Sequence, residues 1–157
     1  MDITIGIATK NRHRFLSIVL EYYSKQIFKG KILIIDASNN EIYKKNLELV
    51  NSYSNIQINH LYSPLTPNFA YKEHASKIDT KYFTISGDDD FHLIQGLEKG
   101  IDYLEKNNLS GVRGKAYLFY LNKTMNKIEE IRDYSGYDYQ SPITLENIEK
   151  YFNHPRN

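Results

Sequence analysis

The strongest chemical signal in the sequence is a run of three carboxylates, Asp88-Asp89-Asp90, directly after Tyr82-Phe83-Thr84-Ile85-Ser86 and Gly87. Adjacent carboxylates repel one another and call for a counter-charge. A hard divalent cation suits them, because Mg²⁺ or Mn²⁺ takes oxygen ligands and keeps positions open for phosphate oxygens. The competing reading is a solvated turn in which one Asp caps the next helix. A second signal is Asp36, which ends the most apolar segment, Ile32-Leu33-Ile34-Ile35, and precedes Ala37-Ser38-Asn39-Asn40. Its carboxylate could accept hydrogen bonds from a base or ribose, or simply form an Asx-turn or helix cap. The third is Thr9-Lys10-Asn11-Arg12-His13-Arg14, which gathers cations at the start of a helical pattern. A helix dipole disfavours cations there, so the segment reads as an anion site or as a solvated first turn. His92, just past the triplet, is either a metal or phosphate contact or an ordinary helix residue. Ser38 and Ser86 have no nucleophile-elbow context. No Walker pattern or GxGxxG is present, which weakens ATPase and dinucleotide readings.

These residues need a frame that brings them together. Residues 3–8 form a short β-branched run, and Phe15, Leu16, Val19, Leu20 and Tyr23 recur at helical spacing. Residues 31–35 are continuously apolar, the mark of a strand buried on both faces of a parallel sheet. A helix over 42–53, a strand over 56–61, a loop over 62–67, a helix over 68–78 and a strand over 81–86 follow. Leu93, Leu97, Ile101 and Leu104 make an amphipathic stripe. Past residue 110 the pattern changes to two strands, 112–121 and 127–134, and a last helix over 144–152. Strand and helix alternate up to about residue 110, which predicts a doubly wound, mostly parallel α/β sheet. Ligands on such sheets bind at the carboxyl ends of the strands, where all three polar clusters fall.

Composition narrows the function classes. The 157 residues are 41% hydrophobic and 25% charged, with 20 Lys plus Arg against 19 Asp plus Glu. A net charge of +1 lacks the basic excess of a protein that only binds nucleic acid. There is no Cys, which excludes disulfides, zinc ribbons and thiol nucleophiles, and fits a reducing compartment. No apolar run is long enough to span a bilayer and the N-terminus lacks a signal-peptide pattern, so a cytoplasmic location is expected.

Three segments in order resemble the nucleotide-sugar-binding half of glycosyltransferase family 2, which has the GT-A fold. They are Ile3-Thr4-Ile5-Gly6-Ile7-Ala8-Thr9-Lys10-Asn11-Arg12, then Ile34-Ile35-Asp36-Ala37-Ser38-Asn39, then Tyr82 through Phe91 with the acidic triplet as the DxD region. The likeness runs from Ile3 to about Leu109, and more loosely to Phe152. Ala37 stands where the family usually has a second Asp. The resemblance implies a GT-A-like, Rossmann-like sheet, truncated at its C-terminus, in a single domain over 1–157. Residues 1–110 would be its nucleotide-sugar-binding part and 111–157 the start of an acceptor-side part. It implies that Thr9 and Asp36 contact the nucleotide base, that Asn11 lies beside it, and that Lys72 lies near it. Arg12 and Asp88 complete the expected nucleotide-binding set. Asp88, Asp89 and Asp90 would hold Mn²⁺ or Mg²⁺ and the ribose-diphosphate. Within the triplet, Asp88 with Asp90 fits the DxD spacing, while an ungapped alignment puts Asp89 at the metal.

The implied activity is metal-dependent transfer of a sugar from a nucleotide-diphospho-sugar to an acceptor, whether glycan, lipid or protein. An inverting transfer needs a general base. Asp133 and Asp138 are the weak candidates, so the chain is expected to bind donor and, alone, to transfer poorly. The alternatives are a sugar nucleotidyltransferase, whose Gly-rich N-terminal loop is absent here, and a non-catalytic nucleotide-sugar-binding domain. A homo-oligomer is compatible with the sequence.

Overall fold

The computed structural model describes residues 1–124 and 127–134. It divides into two compact units, Met1–Val112 and Arg113–Asn157. The first contains β1 (Ile3–Thr9), α1 (His13–Lys25), β2 (Lys31–Asp36), α2 (Asn40–Asn51), β3 (Gln57–Tyr62), α3 (Pro67–Glu73), β4 (Tyr82–Gly87) and α4 (Ile94–Asn107). The second contains β5 (Tyr117–Leu121) and β6 (Ile128–Asp133).

The four strands of the first unit form a parallel sheet in the order β3-β2-β1-β4. The central strand β2 carries apolar side chains on both faces, while β1 turns isoleucines to one face and Thr4, Gly6 and Ala8 to the other. Ile3, Ile5, Ile7, Ile32 and Ile34 pack with Leu16, Val19, Leu20 and Tyr23 of α1 and Val50 of α2, and Leu97 and Ile101 of α4 join them. Leu33 and Ile35 point the other way, onto Ala70 and Tyr71 of α3. Helices therefore cover both faces, the doubly wound arrangement expected from the alternation. Gly6 makes this possible on the α3 side: a Cβ there would lie 2.7 Å from ring atoms of both Tyr71 and Phe83.

Local chemistry sets the element ends. Asn39 caps α2 by accepting the Ile42 amide at 3.0 Å. Pro67 starts α3, since its missing N–H is an orphan at that position in any helix. The helix expected over 68–78 is broken. α3 ends at Glu73, His74 leaves the helical region, and Ala75–Lys77 forms a separate 3-10 turn. Asn108 takes the left-handed conformation that ends α4, with φ 52°.

In the second unit β5 and β6 form an antiparallel hairpin, with Phe119 opposite Ile131 and Tyr120 opposite Glu130. All its strand residues are exposed. The strand expected from residue 112 starts only at Tyr117. The expected helix over 144–152 and the candidate Asp138 lie outside the described residues. No described helix is long and apolar enough to cross a membrane.

Candidate active site

The chain winds from β1 outward through β2 to β3, then crosses back to lay β4 on the other side of β1. The carboxyl ends of β1 and β4 thus flank a topological switch point, the usual ligand crevice of such sheets. The register pairs Ala8 with Gly87, which sets Thr9 beside Asp88. The Thr9 hydroxyl donates to Asp88 Oδ2 at 2.7 Å. Arg12, at the N-terminus of α1, spans two members of the triplet, with Nη1 3.0 Å from Asp88 Oδ1 and Nη2 2.6 Å from Asp89 Oδ2. Its guanidinium also lies over the Phe15 ring, 4.3 Å from the centroid. Two segments 77 residues apart in sequence therefore meet through ion pairs.

The three carboxylates are not equivalent. Asp88 is buried, with 3% of its surface exposed. Burial sets its pKa above the ordinary carboxylate value, against the opposing pull of the Thr9 hydroxyl and the Arg12 charge. Asp89 and Asp90 are exposed. Both lean over Gly87, where a Cβ would stand 3.0 Å from Asp89 Oδ1 and 2.7 Å from Asp90 Oδ2. The segment after the triplet is fastened to α1: the His92 amide donates to the Tyr23 hydroxyl at 3.1 Å, and the Tyr22 hydroxyl donates to the His92 carbonyl at 3.2 Å. The His92 ring is turned to the Ile85 carbonyl and Thr84 instead of the triplet, and burial lowers its pKa.

Asp36 has a different environment from the open one expected. Its side chain is fully buried and both oxygens are used within the chain. Oδ1 accepts the Ser38 amide at 2.8 Å, and Oδ2 accepts Asn46 Nδ2 at 2.7 Å and His60 Nε2 at 3.0 Å. Burial pushes the carboxyl pKa up, but the bonds from His60, Ser38 and Asn46 outweigh it and hold the pKa at about 2. Since the ionised carboxylate only accepts, His60 must carry its proton on Nε2. Among the described residues its buried Nδ1 has no partner. The ring is stacked on Tyr43 at 4.8 Å. Asn46 Oδ1 in turn bonds His13 Nδ1 at 2.8 Å.

The network anchors the loops at the crevice. Asn11, in the left-handed conformation at φ 57°, donates its amide to Ser38 Oγ at 2.8 Å and accepts the Asn39 amide on Oδ1 at 2.9 Å. Asn tolerates that conformation better than most residues. The structure thus gathers Thr9, Asn11, Arg12, Asp36 and the triplet at one end of one sheet. It leaves Lys72 exposed in the last turn of α3. Asp133 ends β6 in the second unit. Sequence reasoning missed His60 and Asn46. The alternation Ile56, Ile58, His60 put that histidine on the inward parity of β3, which was the available signal.

Among the described residues no three His, Asp or Glu side chains converge as a ready-made metal site. The donor set nonetheless fits one kind of cation. Two hard oxygen donors, Asp89 and Asp90, crowd the space above Gly87, and Mg²⁺ or Mn²⁺ is commonly held by one or two carboxylates with phosphate and water completing its shell.

No protein-family model and no curated protein sequence matches the chain. Among solved structures it is similar to the crystal structure of S. aureus TarS residues 1–349, with a TM-score of 0.53 and 13% sequence identity. The likeness is one of fold. The superposition covers 78% of this chain and 36% of the TarS chain, so this chain spans about a third of that structure's length. At that identity the likeness speaks to architecture, a Rossmann-like α/β sheet, and leaves the chemistry to the residues.

Proposed function

We propose that the chain is the donor-binding part of a metal-dependent glycosyltransferase that moves a sugar from a nucleotide-diphospho-sugar to a glycan, lipid or protein acceptor. The observation that carries this reading is the β1–β4 register, which sets the acidic triplet against Thr9 and Arg12 at the switch point of a glycosyltransferase-like sheet. Asp89 and Asp90 are the residues that would hold Mn²⁺ or Mg²⁺, with Asp88 behind them. Bound there, the cation would neutralise the leaving nucleoside diphosphate. The protein's own residues supply the rest. Arg12 presents a planar fork suited to phosphate oxygens. Asn11, Ser38 and Asn39 hold the two loops in one conformation through bonds among their own amides and side chains. Asp36 acts through that loop, by fixing Ser38 and Asn46. Lys72 and Thr9 complete the proposed nucleotide set, and Asp133 and Asp138 are the carboxylates proposed as general base. One observation favours a second reading, a non-catalytic nucleotide-sugar-binding domain: Arg12 already serves as a counter-charge to Asp88 and Asp89.

Calorimetry with a panel of nucleoside diphosphates separates the readings. Binding is expected to tighten at least about tenfold with Mn²⁺ over a chelator, since the cation screens carboxylate from phosphate. Asp89→Ala with Asp90→Ala is expected to erase that difference. Equal affinity with and without metal in the parent chain would favour the second reading.

A further inference from the structure

Arg12 is placed where the proposed cation would act. It is a +1 charge inserted between two carboxylates, and the two bonds it makes are unequal. The Asp88 side chain is 4% exposed and retains the Thr9 hydroxyl as a second partner. The Asp89 side chain is 47% exposed, and its bond to Arg12 Nη2 is a surface ion pair despite its 2.6 Å length. Surface pairs contribute little net stability, so this one is cheap to open. The stacking of the guanidinium on Phe15 does not depend on the carboxylate. A diphosphate offers the same fork two anionic oxygens and a bidentate geometry.

Resting on the metal-dependent donor-binding reading, we infer that Arg12 is a built-in counter-ion that exchanges Asp89 for the diphosphate and so couples nucleotide binding to cation binding. With the crevice empty, Arg12 neutralises Asp89, and its charge opposes a free divalent cation. When a diphosphate arrives, the fork turns from Asp89 Oδ2 to a phosphate oxygen. Asp89 is then released and joins Asp90 above Gly87, where its Oδ1 already lies. By linkage the effect is reciprocal: whatever frees Asp89 strengthens the cation, and whatever occupies Asp89 strengthens the diphosphate. The arrangement disfavours a cation bound without substrate.

The test uses Mn²⁺ followed by electron paramagnetic resonance, with inorganic pyrophosphate as the diphosphate. Arg12→Gln is expected to bind Mn²⁺ alone about fivefold or more tighter than the parent chain, the lower range of typical coupling. Pyrophosphate should then strengthen Mn²⁺ binding less in Arg12→Gln than in the parent. Arg12→Lys, which retains the charge, is expected to stay near the parent for Mn²⁺ alone. A residue that merely holds the loop in shape would not separate Gln from Lys in this way. From the other side, Asp89→Asn should bind pyrophosphate in chelator about fivefold tighter, and adding Arg12→Gln should cancel that gain. Circular dichroism confirms that each variant is folded. If the parent binds Mn²⁺ with pyrophosphate but Arg12→Gln shows unchanged or weaker affinity for Mn²⁺ alone, the exchange is wrong and the metal site stands. If the parent binds no Mn²⁺ even with pyrophosphate, the metal-dependent reading falls and the exchange falls with it.

Discussion

Asp36→Asn tests the buried network directly. The substitution retains the shape of the side chain and removes its charge. In the native arrangement three donors, the Ser38 amide, Asn46 Nδ2 and His60 Nε2, converge on one carboxylate. An amide can accept the Ser38 bond, but its own NH₂ group then faces two donors. Relief requires Asn46 to flip its amide and His60 to change tautomer, and the flip carries on to His13 through Asn46. The carboxyl is held at about 2 against an ordinary 3.8. That difference is worth about 2 kcal/mol of folding stability. Because the folded-state value is the lower one, the contribution is fully present above about pH 4 and is lost as pH falls through about 2. Asp36→Asn is therefore expected to lower stability by about 2–3 kcal/mol at pH 7, and the gap to the parent should narrow steadily below pH 4. Urea unfolding by circular dichroism at pH 7, 5, 4 and 3 measures it. A gap that stays constant down to pH 3 would refute the network argument. So would a gap under about 0.5 kcal/mol accompanied by weak nucleotide binding, which would make Asp36 a ligand contact.

Gly87→Ala is expected to leave the fold intact, because the atoms nearest to a Cβ there are the ends of the Asp89 and Asp90 side chains. Those ends must move, so Mn²⁺-dependent binding of a nucleoside diphosphate should fall about tenfold by calorimetry. Tyr71→Phe should raise stability by about 1 kcal/mol in urea unfolding, since among the described residues the buried Tyr71 hydroxyl has no partner and burial pushes its pKa up to about 12.

The frame of the first unit was legible because its signals are redundant. Ile32 to Ile35 can only be a strand buried on both faces, and Leu16, Val19, Leu20 and Tyr23 can only share one helix face. The convergence of the three polar clusters followed from parallel topology alone. The bonds between the clusters did not. Nothing in the spacing shows that Arg12 reaches Asp88 and Asp89, because the contact depends on the β1–β4 register and a side-chain direction. Asp36 reads from sequence as ligand-facing or as an Asx-turn; its bond to the Ser38 amide is of the Asx type, and only the positions of Asn46 and His60 reveal that it is enclosed. The split of the 68–78 helix at His74 was likewise invisible, since Ala75–Lys77 retains helical composition and only its hydrogen bonds differ.

The position of β4 beside β1 also fixes when the crevice can exist during folding. The first 62 residues contain β1, β2 and β3, three neighbouring strands linked by local crossovers. Residues 1–62 hold Thr9, Arg12 and the whole Asp36 network, yet no part of the triplet. Thr9 must then find Asp88 across a separation of 79 residues, and the loop-closure entropy is spent before any bond is made. The site is therefore expected to assemble after the β1–β3 sheet. Pulse-labelled hydrogen exchange would report it as late protection at Asp90 and His92, whose amides bond to Gly87 and Tyr23, after the amides of β2 have closed.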